Sequence, residues 1–139
     1  MEPEKITFGT DGWRAIIADD YTFDNVRACA QGVAWYHIAQ GLQADWIIVG
    51  YDTRFSSAEF ADAVVEVLAG NGLKVLRCTS PAPTPAVGYN LVTRKAAGGI
   101  MITASHNPAK WNGFKYRTSS GGSAPPEVLR KLEETDGFI

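Results

Sequence analysis

The sequence predicts an α/β protein: a three-layer α/β/α sandwich around a mostly parallel mixed sheet of about four strands plus an edge strand. Three observations carry this. Short apolar runs alternate with segments of helical periodicity, the order that builds a largely parallel sheet covered by helices. The run Trp46-Ile47-Ile48-Val49-Gly50-Tyr51 is continuously apolar, as a strand buried on both faces is. The chain has 139 residues, 45% hydrophobic and 20% charged, enough for one domain with its own core and too ordered in composition for a disordered segment.

The elements follow in order. Lys5 to Gly9 reads as a short strand with Ile6 and Phe8 on one face, and Gly9-Thr10-Asp11-Gly12 as a turn. Arg14 to Ile17 reads as a second short strand. Thr22 caps a helix running to about Gln40, with Phe23, Val26, Ala30, Val33 and His37 on one stripe and Gly41 at its end. After the Trp46–Tyr51 strand and the polar loop Asp52-Thr53-Arg54, Ser56 and Glu59 have the spacing of a capping box. The helix they open carries Phe60, Val64, Val67 and Leu68, and Gly70-Asn71-Gly72 stops it. Lys74 to Thr79 is a strand. The prolines from Pro81 to Pro85 bar regular structure until Thr84 caps a third helix with Pro85 at its first position, ending near Lys95. Gly98 to Thr103 is a strand, Ala104 to Asn112 a loop, Gly113 to Tyr116 an edge strand, and Pro126 starts a last helix.

Composition excludes several classes of function. Thirteen Lys and Arg against fifteen Asp and Glu leave a net charge of −2, which argues against nonspecific nucleic-acid binding. No apolar run approaches the ~20 residues of a membrane span. Met1-Glu2-Pro3-Glu4 lacks the layout of a signal peptide. Two cysteines, Cys29 and Cys78, without a CxxC pair, point to small core residues and a reducing cytoplasm rather than a disulfide or zinc scaffold.

Three strands each end in an unusual polar loop: Asp52-Thr53-Arg54, Pro81 to Pro85, and Ala104-Ser105-His106-Asn107-Pro108. If the strands are parallel these loops share one rim, where open α/β sheets bind their ligands. The segment from Gly9 to Arg14 reaches the same rim. The run Thr103-Ala104-Ser105-His106-Asn107-Pro108 with Asn112-Gly113-Phe114-Lys115 resembles the phosphoserine loop of the α-D-phosphohexomutases, the phosphoglucomutases and phosphomannomutases. Phe8-Gly9-Thr10-Asp11-Gly12-Trp13-Arg14, Gly50-Tyr51-Asp52-Thr53-Arg54-Phe55-Ser56-Ser57 and Pro83-Thr84-Pro85 match further motifs of that family, in order. Asp11 and Trp13 stand where many relatives have Ser and an aliphatic residue.

The resemblance implies a phosphoryl-transfer enzyme, an intramolecular phosphotransferase that interconverts hexose 1-phosphate and 6-phosphate through a bisphosphate intermediate. Ser105 is then the phosphoserine, and Mg2+ sits against its phosphate. A hexose bisphosphate acts as activator. Lys115 and Arg14 offset the phosphoserine's charge, about −1.5 to −2, and hold the attacking hydroxyl. His106 donates to phosphate or orients the loop. Thr103, Asn107 and Arg54 are expected at the phosphate or its scaffold. Trp13 and Trp111 line the cleft or pack.

The family has about four domains, and residues 1–139 resemble the first. The resemblance implies that the later domains supply an Asp-rich magnesium loop, and no Asp-x-Asp-x-Asp run is present in these residues. The expected partners are a hexose phosphate and those later domains, with no nucleic acid and no membrane, and with self-association through an exposed interdomain face. Val128 to Glu134 reads as a helix leading onward, so a truncated domain that is inactive alone is expected. The competing reading is a noncatalytic phosphate-binding or scaffold module that kept the fold. A dinucleotide-binding domain ranks lower, because GxGxxG does not follow the first strand.

Overall fold

A computed structural model describes Ile6, Phe8 and residues 12–105, 107–122 and 124–135, the backbone alone at 133–135. Among these residues five strands and four helices follow in order: β1 Trp13–Ile16, α1 Phe23–Ala39, β2 Trp46–Tyr51, α2 Ser57–Gly70, β3 Lys74–Arg77, α3 Thr84–Thr93, β4 Gly98–Ile102, β5 Trp111–Thr118 and α4 Pro126–Thr135. The sheet order is β1-β5-β4-β2-β3. β2 pairs in parallel with β3 and β4, while β5 is antiparallel to β4 and to β1. Four strands therefore run one way and β5 runs the other, the mostly parallel mixed sheet that the sequence predicts.

The two faces are covered unequally. One core gathers Val26, Ala30 and Val33 of α1, Phe60, Val64 and Leu68 of α2, and Leu129 and Leu132 of α4 against Ile47, Val49, Ile100, Ile102, Phe114 and Tyr116 of the sheet. Ile6 and Phe8 are buried in it as well. The other core is smaller: Val87 and Leu91 of α3 on Ile48 and Met101. Gly50 lets α3 approach, since a Cβ there would lie 2.6 Å from the Val87 side chain.

Local chemistry explains the helix starts. Thr22 is extended (φ −115°) and its hydroxyl accepts the Asn25 N–H at 3.2 Å, the cap that its position predicts. Phe23 leads the α1 stripe yet stays 39% exposed, stacked on Phe60. His37 ends the stripe, fully buried, with Nε2 2.7 Å from the Tyr116 hydroxyl.

Three expectations are corrected. The Ser56–Glu59 capping box does not form: Ser56 is left-handed (φ 61°) and makes no side-chain cap, while Asp52 takes the Arg54 N–H at 3.0 Å and the Ser57 hydroxyl at 2.7 Å. An N-cap residue is normally extended, so the left-handed Ser56 does not turn its hydroxyl onto the α2 amides, and Asp52 braces the turn into α2 from outside the helix. Thr84 is the first residue of α3 rather than its cap, which is Pro83, and Pro85 follows inside the first turn. β5 is twice the expected length and lies between β1 and β4, so the sheet edges are β1 and β3. Of the first expected strand and turn, Lys5, Thr7 and residues 9–11 lie outside the described residues; Gly12 has the positive φ of 83° that a turn glycine supplies.

Candidate active site

β2, β3 and β4 are parallel, so the loops after them share the carboxyl rim of the sheet. After β4 the chain forms a tight loop and returns as β5. Thr103 starts the loop. Its N–H donates to the Gly113 carbonyl at 3.0 Å, and its hydroxyl accepts the Ser105 N–H at 3.0 Å. The Asn107 N–H reaches the Ala104 carbonyl at 3.0 Å, and the Trp111 N–H the Pro108 carbonyl at 2.9 Å. Ser105 sits at φ 54°, a left-handed conformation that few residues other than glycine adopt, and it is exposed.

The reversed strand β5 carries lysine to this serine. Lys115 stands opposite Met101 in the β4–β5 register and is 7% exposed. Its Nζ donates to Ser105 Oγ at 2.7 Å. β1 adds Arg14, opposite Gly113, and its Nη1 donates to Asn107 Oδ1. Gly113 is what lets the strands and the loop meet: a Cβ there would stand 2.6 Å from the Thr103 carbonyl oxygen and 2.9 Å from that of Trp13. The Gly113 carbonyl also accepts the hydroxyl of buried Tyr21 at 2.8 Å. Burial, with Cys29 and Asp52 nearby, pushes that phenol well above its ordinary range, so it remains a donor.

Arg54 holds the loop from the β2 side. Its Nε lies 3.3 Å from Asp52 Oδ2. Nη1 donates to the carbonyls of Pro108 at 2.9 Å and Trp111 at 3.2 Å, and Nη2 to those of Ser105 and Asn107, each at 2.7 Å. Four of the guanidinium's five N–H donors are thus directed at backbone carbonyls, and the fifth, on Nε, faces the Asp52 carboxylate. Arg54 is placed as a clamp on loop backbone, the scaffold reading of the two that its sequence position offers.

The structure accordingly brings together Ser105, Lys115, Arg14, Thr103, Asn107 and Arg54. His106 lies outside the described residues. Trp13 is buried and stacked on Tyr21 at 4.9 Å, a packing role. Cys78, half-buried, has its thiol pKa raised by burial against the opposing effect of Arg77. Two components of the site escape a reading of the sequence: Ser57 and Asn112, both fully buried, linked by an Asn112 Nδ2 to Ser57 Oγ bond of 2.9 Å. Asn112 is visible within its motif, and Ser57 only as part of a serine pair. Among the described residues, no three His, Cys, Asp or Glu side chains converge to hold a metal ion. No described helix is long and apolar enough to cross a membrane.

Comparison with known proteins adds to this geometry. A family model described as phosphoglucomutase/phosphomannomutase, alpha/beta/alpha domain I, matches residues 5–135. A phosphoglucosamine mutase of Carboxydothermus hydrogenoformans is 36% identical over 127 residues, covering 91% of this chain and 28% of that protein. A phosphoglucomutase of Staphylococcus saprophyticus is 33% identical over 132 residues, covering 93% of this chain and 24% of that protein. A crystal structure from Thermus thermophilus, described as a phosphomannomutase, superposes with a TM-score of 0.93 at 37% identity, over 98% of this chain and 31% of that one. The chain spans about a quarter to a third of the length of these relatives.

Proposed function

The chain belongs to the phosphoglucomutase/phosphomannomutase family, as its α/β/α domain I, and from that premise we propose that residues 1–139 form the phosphoserine-bearing domain of a phosphohexomutase. Its substrate class is a hexose phosphate, interconverted between the 1- and 6-phosphate through a bisphosphate. Relatives named for glucosamine and glucose phosphates support that class. The observation that carries the reading is the 2.7 Å bond from Lys115 Nζ to Ser105 Oγ.

In this reading Ser105 is the phosphoryl carrier. A sugar hydroxyl attacks phosphorus, the P–Oγ bond breaks, and the negative charge developing on Oγ is offset by the Lys115 ammonium placed beside it, the proton given up by the sugar hydroxyl ending on Oγ. In the return step the Ser105 hydroxyl attacks the other phosphoryl group of the bisphosphate, the P–O bond to the sugar breaks, and the serine proton ends on the departing sugar oxygen. Such transfers depend on positioning and charge stabilisation more than on covalent assistance by the protein. Arg14, oriented through Asn107, supplies a second positive charge on the same side. Thr103 fixes the Ser105 amide. His106, next to the serine in sequence, is assigned either to the phosphate or to orienting the loop.

The donor set fits Mg2+ only in part. A phosphate on Ser105 gives one hard oxygen ligand, and no group of carboxylates joins it among the described residues. The other ligands and the sugar-selecting groups belong to the rest of a protein of the relatives' length, and the domain alone is inactive. The test is transfer from radiolabelled glucose 1,6-bisphosphate to the intact protein, followed by peptide mapping. Label is expected on Ser105 and absent from Ser105→Ala. Label on a different residue overturns the assignment.

A further inference from the structure

We propose that Ser57, the first residue of α2, is a positioning residue for Ser105. With half-buried Asp52 and buried Asn112 it forms a polar relay that sets the Arg54 clamp. The proposal rests on the reading of Ser105 as the phosphoryl carrier.

The relay is continuous. The Gly113 N–H donates to Asn112 Oδ1 at 2.8 Å, Asn112 Nδ2 donates to Ser57 Oγ at 2.9 Å, and Ser57 Oγ donates to Asp52 Oδ1 at 2.7 Å. Asp52 Oδ1 also accepts the Arg54 N–H at 3.0 Å, and Oδ2 faces Arg54 Nε at 3.3 Å. The guanidinium then closes the circuit on four loop carbonyls, that of Ser105 among them. β5, which carries Lys115, and the loop, which carries Ser105, are thus tied at both ends to one carboxylate. The Ser57 hydroxyl is the joint between Asn112 and Asp52. It accepts from one and donates to the other, a task alanine cannot perform. Both Ser57 and Asn112 are fully buried, so water cannot readily replace the lost partner.

A relay of this kind predicts coupling. Without the hydroxyl, Asp52 keeps its contacts to Arg54 but loses a donor that fixes its rotamer, so the carboxylate that orients the Arg54 guanidinium is less well placed and the loop carbonyls relax with it. The Lys115–Ser105 distance then varies. Misplacement of a reacting group by about 1 Å costs on the order of 100-fold in rate.

The experiment compares wild type with Ser57→Ala, Arg54→Lys, the double variant and Asp52→Asn, by two readouts. The first is amide hydrogen exchange at Asn107 and Trp111, with β2 and β4 amides as internal reference. The second is the rate of Ser105 labelling from glucose 1,6-bisphosphate in the intact protein. In Ser57→Ala the loop amides are expected to lose about 10-fold in protection while the reference amides keep theirs. Labelling is expected to slow by about 10- to 100-fold, with half-saturation unchanged within about 3-fold. The double variant is expected to be no slower than the worse single one, because both act through one chain of contacts. Asp52→Asn, which keeps the size of the side chain, is expected to loosen the same amides. Unchanged loop amides, or losses that multiply in the double variant, overturn the proposal. Loosened amides in a protein whose wild type takes no label support the relay and count instead against Ser105 as the phosphoryl carrier.

Discussion

The burial of His37 makes a quantitative prediction about acid stability. The ring is fully buried, held by Tyr116 through Nε2, and its Nδ1 has no hydrogen-bond partner among the described residues. Burial lowers the imidazole from its ordinary 6.5 to about 4, against a small opposing effect of Asp45. A second proton on the ring is therefore resisted in the folded state and accepted freely in the unfolded one. The folded pKa lies below the unfolded one, so the contribution of His37 is complete above about pH 6.5 and is lost as pH falls toward 4. Integrated from pH 7 to pH 4.5, the loss is about 2.5 kcal/mol. The assay is urea unfolding of wild type and His37→Gln at half-unit intervals across that range. Carboxylates titrate in both proteins, so the difference between the two curves isolates the histidine. The wild type is expected to lose about 2.5 kcal/mol more than the variant. Parallel curves would refute the claim that a neutral imidazole is locked between α1 and β5.

Two further substitutions test the packing that positions the site. Gly113→Ala places a Cβ against the carbonyls of Thr103 and Trp13. It is expected to destabilise by about 2–3 kcal/mol in denaturant unfolding, and a variant within ~0.5 kcal/mol of wild type would contradict the close approach. Thr22→Ala removes the α1 cap, with an expected cost of about 1 kcal/mol. Calorimetry should show this as a fall in Tm of about 4 °C, whereas an unchanged Tm would mean that the cap is replaced by solvent.

Local chemistry was legible where one residue decides the outcome. Thr22 caps α1 from an extended backbone, its hydroxyl on the Asn25 N–H, and Ile47–Tyr51 are buried because helices lie on both sides of β2, while Trp46 at the start of the run stays 41% exposed. The shared rim was legible too, since parallel strands place their following loops together. What the sequence hid depends on competition or on strand order. Ser56 fails to cap because the turn braced by Asp52, a carboxylate four residues upstream, leaves its backbone left-handed, which spacing rules do not weigh. The interior place of β5 follows from β1 pairing onto its far side, a contact nearly a hundred residues apart. Arg54 reads by type either as a phosphate ligand, because arginines favour anions, or as a scaffold residue paired with Asp52. Its role as a clamp emerges only once the loop carbonyls are seen to converge on it.

The conformation of Ser105 links these features to chemistry. A left-handed backbone is disfavoured for a residue with a Cβ by about 1–2 kcal/mol, and glycine is the usual solution. Glycine is excluded where a hydroxyl must act. The strain has to be held by surrounding contacts, and the loop supplies them: Thr103 Oγ1 on the Ser105 amide and Arg54 on its carbonyl, one on each side of the strained residue. Such strain persists only where neighbours over-determine it, and it clusters at functional sites. With the amide and carbonyl both fixed, the remaining freedom of Ser105 is its side-chain rotation, and Lys115 meets Oγ at 2.7 Å. A hydroxyl held in this way can accept and release a phosphoryl group without the loop rearranging between the two half-reactions. That is the property the proposed reaction requires, and it places the burden of positioning on Thr103 and Arg54, which hold the backbone of Ser105.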